Sequence, residues 1–253
     1  MVAFVFIYAM ILVVILGGIM MKKACEMSTK ELAQYIDYSV LKPEFTKEEI
    51  IKLTKDGVNL HCATICINPA YVEMCEPLVA NSDTMLCPVC DFPFGASSTD
   101  SKVKQAEILC QYASVKEIDI VSNFGLIRSN DFEAVYQDIK AVIDTCHAYD
   151  KPVKVIFETD ALNIEQIKKM CAICVRAKAD FVKTSTGFLT GHELKGGYPE
   201  LIALMIKEVN GKCKVKASGS IRDQEKFFKL IDLGVNRMGI GYRSVPVVLG
   251  LNK

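Results

Sequence analysis

Eight short runs of apolar and β-branched residues alternate with amphipathic helical stretches along this 253-residue chain, and that alternation leaves few folds open to it. The sequence predicts strands over residues 36–41, 62–67, 85–91, 117–121, 153–158, 180–184, 213–217 and 235–239. Helices are predicted over 99–109, 131–149, 164–178, 200–209 and 223–233. A further helix opens at Thr46, where Thr46 and Glu49 form a capping-box pattern. Gly234 stands where a helix ends and a left-handed glycine is favoured. Strands separated by helices pair in parallel, and eight of them close into a (β/α)8 TIM barrel. The competing fold is an open doubly wound sheet, which carries a glycine-rich loop after its first strand. Here the first strand runs into Lys42-Pro43-Glu44, so the barrel is preferred. No Pro, Gly or Ser-rich linker divides the body. The chain therefore reads as a hydrophobic N-terminal segment, residues 1–24, and one barrel domain, residues 25–253.

The N-terminal segment is a separate question. Val2 to Met21 is uncharged and long enough to span a bilayer as a helix. Lys22 and Lys23 follow it, and the positive-inside rule would keep the barrel cytoplasmic. Three readings stay open: an anchor making membrane contact through residues 2–21, an upstream artefact of start choice (Met20, Met21 and Met27 are alternative starts), and a cleaved signal.

Composition excludes several classes. The net charge is zero with 30 basic and 30 acidic residues, which leaves no basic footprint for nucleic acid. Three histidines are too few for a His-rich metal or catalytic centre. The eleven cysteines are scattered through apolar segments, as expected of a reducing compartment rather than a disulfide framework. Cys87/Cys90 and Cys171/Cys174 have C-x-x-C spacing. They are too far apart for a zinc ribbon and read as packing residues. No metal and no cofactor is expected.

In a barrel of this kind the active site lies at the C-terminal ends of the strands. Lys183 ends the sixth predicted strand and enters Thr184-Ser185-Thr186-Gly187. Lys216 ends the seventh and enters Ala217-Ser218-Gly219-Ser220. Both face small, hydroxyl-rich loops, with no acid beside them in sequence for a structural salt bridge. Two close lysines disfavour each other's protonation, and a neutral lysine amine is the nucleophile of Schiff-base chemistry. Lys214, nearer the strand start, is read as solvated. Asp119 lies between Ile118 and Ile120 on the fourth strand. A carboxylate there needs a partner, and a lysine across the mouth would serve. It is also suited to proton shuttling. Asp37 on the first strand is the weaker acid candidate. Gly187, Gly219, Gly239 and Gly241 follow strands six to eight, where barrels often hold phosphate on backbone amides. The expected ligand is a small phosphorylated molecule.

Several of these segments, taken together, resemble the deoxyribose-phosphate aldolase family. Phe181-Val182-Lys183-Thr184-Ser185-Thr186-Gly187-Phe188 is similar to its Schiff-base segment, and Val215-Lys216-Ala217-Ser218-Gly219 to its second lysine segment. Ile36-Asp37, Leu41-Lys42-Pro43, Cys66-Ile67-Asn68-Pro69, Phe92-Pro93-Phe94-Gly95, Glu117-Ile118-Asp119 and Phe157-Glu158-Thr159 extend the match over roughly residues 28–245. The resemblance implies a metal-independent class I aldolase on a (β/α)8 barrel. Such an enzyme reversibly cleaves 2-deoxy-D-ribose 5-phosphate to D-glyceraldehyde 3-phosphate and acetaldehyde. Lys183 would form the imine, Lys216 would make that amine easier to deprotonate, Asp119 would relay protons and Asp37 would assist.

Three departures bear on the phosphate grip. Tyr38-Ser39 replaces His-Thr, Ser220 replaces a second glycine, and the last loop, Gly239 to Ser244, is altered. Arg243 is the expected phosphate donor there. Thr186, Gly187, Gly219, Ser220, Gly239 and Gly241 complete the expected binding set, with Cys66 as a pocket wall. A homodimer is allowed. The alternatives are a ketose-phosphate aldolase and a catalytically inactive, membrane-tethered relative that only binds sugar phosphates.

Overall fold

A computed structural model describes residues 22–193 and 195–251. The eight strands are β1 (Ile36–Val40), β2 (Thr64–Ile67), β3 (Met85–Cys90), β4 (Ile118–Val121), β5 (Val153–Ile156), β6 (Phe181–Lys183), β7 (Lys214–Ser218) and β8 (Arg237–Gly241). They pair in parallel in sequence order, and β8 closes on β1, giving the predicted (β/α)8 barrel. All eight predicted strands are present. The last is displaced by two residues toward the C-terminus, which leaves its side-chain parity unchanged.

The helices are α1 (Thr29–Ala33), α2 (Lys47–Asn59), α3 (Val72–Val79), α4 (Thr99–Cys110), α5 (Phe124–Arg128), α6 (Phe132–His147), α7 (Ile164–Ala177), α8 (Pro199–Val209), α9 (Gln224–Asp232) and α10 (Val245–Val248). The capping box opens α2 as predicted: Glu49 N–H donates to Thr46 Oγ1 at 3.2 Å, and Thr46 N–H to Glu49 Oε2 at 2.8 Å. Gly234 follows α9 in the left-handed region, φ 98°. Helices α1, α3, α5 and α10 are not among those predicted. Each is short, and α3 contains Pro77, normally a breaker.

Strand parity divides the molecule into two cores. Ile36, Tyr38, Val40, Ile65, Ile67, Leu86, Ile118, Ile120, Val153, Val155, Val182, Val215 and Ile240 point outward into the apolar layer under the helices. The inward set differs in kind. It is polar and charged, built on Asp37, Asp119, Lys154, Lys183 and Lys216, all buried. A small apolar cluster of Leu41, Cys66, Cys87 and Val89, with Phe92 and Phe188 against it, interrupts it, and buried Phe181 lies among its cations. The residues proposed as a membrane-contacting segment, 2–21, lie outside the described residues. Among the described residues no helix is long and apolar enough to cross a membrane.

Candidate active site

Asp119 is the hub of the barrel interior. Its Oδ2 accepts from Lys183 Nζ at 2.6 Å and from Lys216 Nζ at 2.7 Å. Its Oδ1 accepts from Lys154 Nζ at 3.0 Å and from the Cys87 thiol at 3.2 Å. Asp37 pairs with Lys216, lies 3.4 Å from Lys154, and accepts from Arg237 at 2.7 Å and Thr64 Oγ1 at 2.7 Å. Glu117 pairs with Lys154 at 2.7 Å and takes a forked contact from Arg237, both arms at 3.2 Å. Four basic side chains therefore face three carboxylates in a buried interior.

Sequence reasoning set the two lysines apart because no acid adjoins them. The partner expected for Asp119 proves to be both of them: each is ion-paired through that carboxylate, which arrives from β4 across the barrel. The register shows why: Lys183 lies opposite Lys216 on adjacent strands, and Asp119 opposite Lys154. The expected convergence of Asp37, Asp119, Lys183 and Lys216 is seen. The cation that most organises the carboxylates, Lys154, was not anticipated, nor were Arg237 and Glu117. Lys154 had a signal. It sits between Val153 and Val155, the same pattern that singled out Asp119.

Burial pushes the Asp119 and Asp37 carboxyls up. The surrounding ammonium groups outweigh it and hold both well below the usual carboxylate range. Burial works against the charged amines of Lys216 and Lys154 too. Asp119 and Asp37 outweigh it and hold both above the ordinary lysine range. These four groups are thus ionised at neutral pH. Burial pushes the Cys87 thiol up, and its place beside Asp119 is that of a packed donor. Cys90 faces the opposite side of β3, donating to Lys102 O, so Cys87 and Cys90 share no site. Cys171 and Cys174 are buried in the outer layer. All eleven cysteines are free.

Above this network a cavity of about 560 Å³ opens at the C-terminal ends of the strands. Lys183 reaches its floor. Thr186, Gly187 and Phe188 after β6, Gly219 and Ser220 after β7, Gly239 and Gly241 on β8, and Ser39 and Leu41 at the end of β1 wall it, with Arg222 and Arg243 also lining it. Gly239 has a steric reason: a Cβ there would press on Ser218 Oγ at 3.0 Å and on Lys216 Cε at 3.4 Å. Asp37, Asp119 and Lys216 lie beneath the cavity. Cys66, expected as a wall residue, also lies one layer down, with its Sγ 4.0 Å from Asp119. Arg222 is a lining cation that the sequence reading did not single out. Phe188 meets Phe92 edge to face, with ring centroids 5.2 Å apart, giving the cavity an apolar flank. A lysine that reaches the cavity floor, a carboxylate that touches it and a second lysine on that same carboxylate make a geometry suited to imine chemistry.

No family model matches the chain. Curated relatives do. It is 40% identical over 219 residues to a deoxyribose-phosphate aldolase of Listeria welshimeri, covering 87% of this chain and 95% of that one. It is 38% identical over 220 residues to a deoxyribose-phosphate aldolase of Treponema denticola, covering 87% and 99%. Among solved structures, a putative deoxyribose-phosphate aldolase from Coccidioides immitis superposes with a TM-score of 0.81 at 30% identity, over 93% of this chain and 92% of that one. The tetrameric deoxyribose phosphate aldolase from Aeropyrum pernix superposes with a TM-score of 0.79 at 28% identity, over 88% and 91%.

Proposed function

This chain belongs to the deoxyribose-phosphate aldolase family, and we propose that it cleaves 2-deoxy-D-ribose 5-phosphate through an imine on Lys183. The observation that carries this is the placement of Lys183. Its amine opens on the cavity floor while sharing one oxygen of Asp119 with Lys216. The charges support the role. Lys154, Lys216 and Arg237 by themselves match the three carboxylates of Asp37, Glu117 and Asp119 in number. Lys183 has one carboxylate contact, whereas Lys216 has two and Lys154 three.

The neutral amine adds to C1 of the open-chain sugar. The carbinolamine loses water to an iminium. The C3 hydroxyl gives up its proton, the C2–C3 electron pair moves into the iminium, and D-glyceraldehyde 3-phosphate departs. The enamine left on Lys183 takes a proton at C2, and hydrolysis frees acetaldehyde. Asp119, in contact with Lys183, is the group placed to relay these protons, directly or through one water. Lys216 stays charged beside the amine and disfavours its protonation, while Asp37 holds Lys216. The phosphate is assigned to the far side of the cavity. The backbone of Gly187, Gly219, Ser220, Gly239 and Gly241 lies there, with Arg222 and Arg243 as charge-assisted donors.

The eleven free cysteines favour the cytoplasm as the working compartment. An inactive, membrane-tethered relative finds no support in the site, where both lysines and Asp119 are in contact. The test is borohydride reduction in the presence of acetaldehyde. An ethyl adduct is expected at Lys183 and none on Lys183→Ala, which also loses turnover. An adduct of equal yield elsewhere on that variant would overturn the assignment.

A further inference from the structure

Strand β6 has only three residues, yet the loop after it forms much of the cavity wall. That loop is held largely from β5. Glu158, just past β5, is 1% exposed and has φ 59°, a left-handed conformation that non-glycine residues adopt at a cost. Its carboxylate accepts the Thr186 N–H at 3.1 Å and also the Thr186 hydroxyl. The same hydroxyl oxygen accepts the Phe188 N–H at 3.0 Å. The single proton of the Thr186 hydroxyl is thus committed to Glu158, and one lone pair to the backbone two residues on. Gly187 is bracketed between these bonds, at φ 82°. A second tie runs parallel. Asp160 accepts from Ser185 Oγ at 3.1 Å and from Lys195 N–H at 2.8 Å. Burying a carboxylate at a strained backbone position is expensive, and the bonds to Thr186 are what it accomplishes there.

We infer that Glu158 is a positioning residue: it clamps Thr186 and, through that hydroxyl, the Phe188 amide, setting where Gly187 and Phe188 stand relative to Lys183. Thr186 then acts by shaping the wall, in place of the direct substrate contact expected from sequence. The inference rests on the reading that this cavity takes a phosphorylated sugar.

The experiment compares Glu158→Ala, Thr186→Val, the double variant and Thr186→Ser. It measures KM and kcat for 2-deoxyribose 5-phosphate, acetaldehyde trapping at Lys183, and amide hydrogen exchange over residues 185–188. Each single variant is expected to raise KM roughly tenfold or more, the scale at which small misplacements act, and to speed exchange across the loop. Glu158→Ala still traps acetaldehyde. The double variant is no worse than the worse single one, because both break the same clamp. Thr186→Ser restores KM. Unchanged KM, unchanged exchange, or losses that multiply in the double variant would overturn the clamp. Multiplying losses would mean that the Thr186 hydroxyl meets substrate itself. Should Glu158→Ala not fold, Thr186→Val, which keeps the side-chain shape, carries the test. If the wild-type protein traps acetaldehyde but does not cleave the sugar phosphate, the functional reading falls, and the exchange rates still judge the clamp.

Discussion

Replacing Lys216 by methionine removes one buried positive charge at nearly constant volume, and the structure sets the size of the effect. The Lys183 and Lys216 amines bond the same Asp119 oxygen at 2.6 and 2.7 Å. They therefore stand within about 5 Å of each other, and at an effective dielectric constant of about 20 their repulsion is about 3 kcal/mol. In Lys216→Met that repulsion vanishes. About 3 kcal/mol is worth roughly 100-fold, so adduct formation at neutral pH should fall by about that factor and recover as the pH is raised. The assay is borohydride trapping of acetaldehyde across pH 5 to 10, read by intact mass, with thermal unfolding to confirm that the variant is folded. A variant profile superimposed on the wild-type one, or moved to lower pH, would refute the electrostatic role of Lys216.

The same network should shape stability against pH. Asp37 and Asp119 are held below their unfolded range, so below about pH 4 the unfolded chain takes up protons that the folded chain refuses. Stability then falls with acid by up to about 1.4 kcal/mol per pH unit for each acid. Lys154 and Lys216 are held above theirs, so above about pH 10 the unfolded chain releases protons that the folded chain keeps, and stability falls as pH rises further. Urea midpoints measured from pH 3 to 11 should show both limbs, and a flat acid limb would contradict the pairing of the two aspartates. Away from the cavity, Lys102 is buried with its amine 2.6 Å from Asp138 and 3.2 Å from Val121 O. Asp138→Ala removes the nearer carboxylate and leaves Lys102 only Asp91, at 3.6 Å; it should cost about 1.5–3 kcal/mol in urea unfolding with kcat close to wild type, and a loss under about 1 kcal/mol would show that Asp91 alone holds the lysine.

The barrel was legible because it is written in periodicity. Parity put Phe181 and Lys183 on one face of β6 and Val182 on the other, and the structure agrees: Val182 joins the outer core while the Lys154 amine lies 5.6 Å from the Phe181 ring centroid inside. The 64-residue step from Asp119 to Lys183 became a 2.6 Å contact for the same reason. What escaped has physical reasons. A charge inside a β-rich run can face solvent or the barrel axis, and Lys154 was passed over where Asp119 was not. Arg237 lay near the start of a strand whose ends were misjudged by two residues. The ties from Glu158 and Asp160 to the β6 loop join segments whose approach is decided only when the barrel closes, and no local pattern announces them.

The plugged lower half of the barrel has a consequence for traffic. Phe181, with the cations of Lys154 and Arg237 5.6 and 5.9 Å from its ring centroid, fills the axis below the reactive amine. Molecules can then enter and leave only through the cavity at the C-terminal ends of the strands. With the imine proposed on Lys183, the two-carbon fragment would stay tethered at the dead end while the phosphorylated fragment sat between it and the exit. Departure would then be sequential, with the larger product first. In the synthetic direction the small aldehyde would have to be seated before its partner arrived, because the partner would block the door.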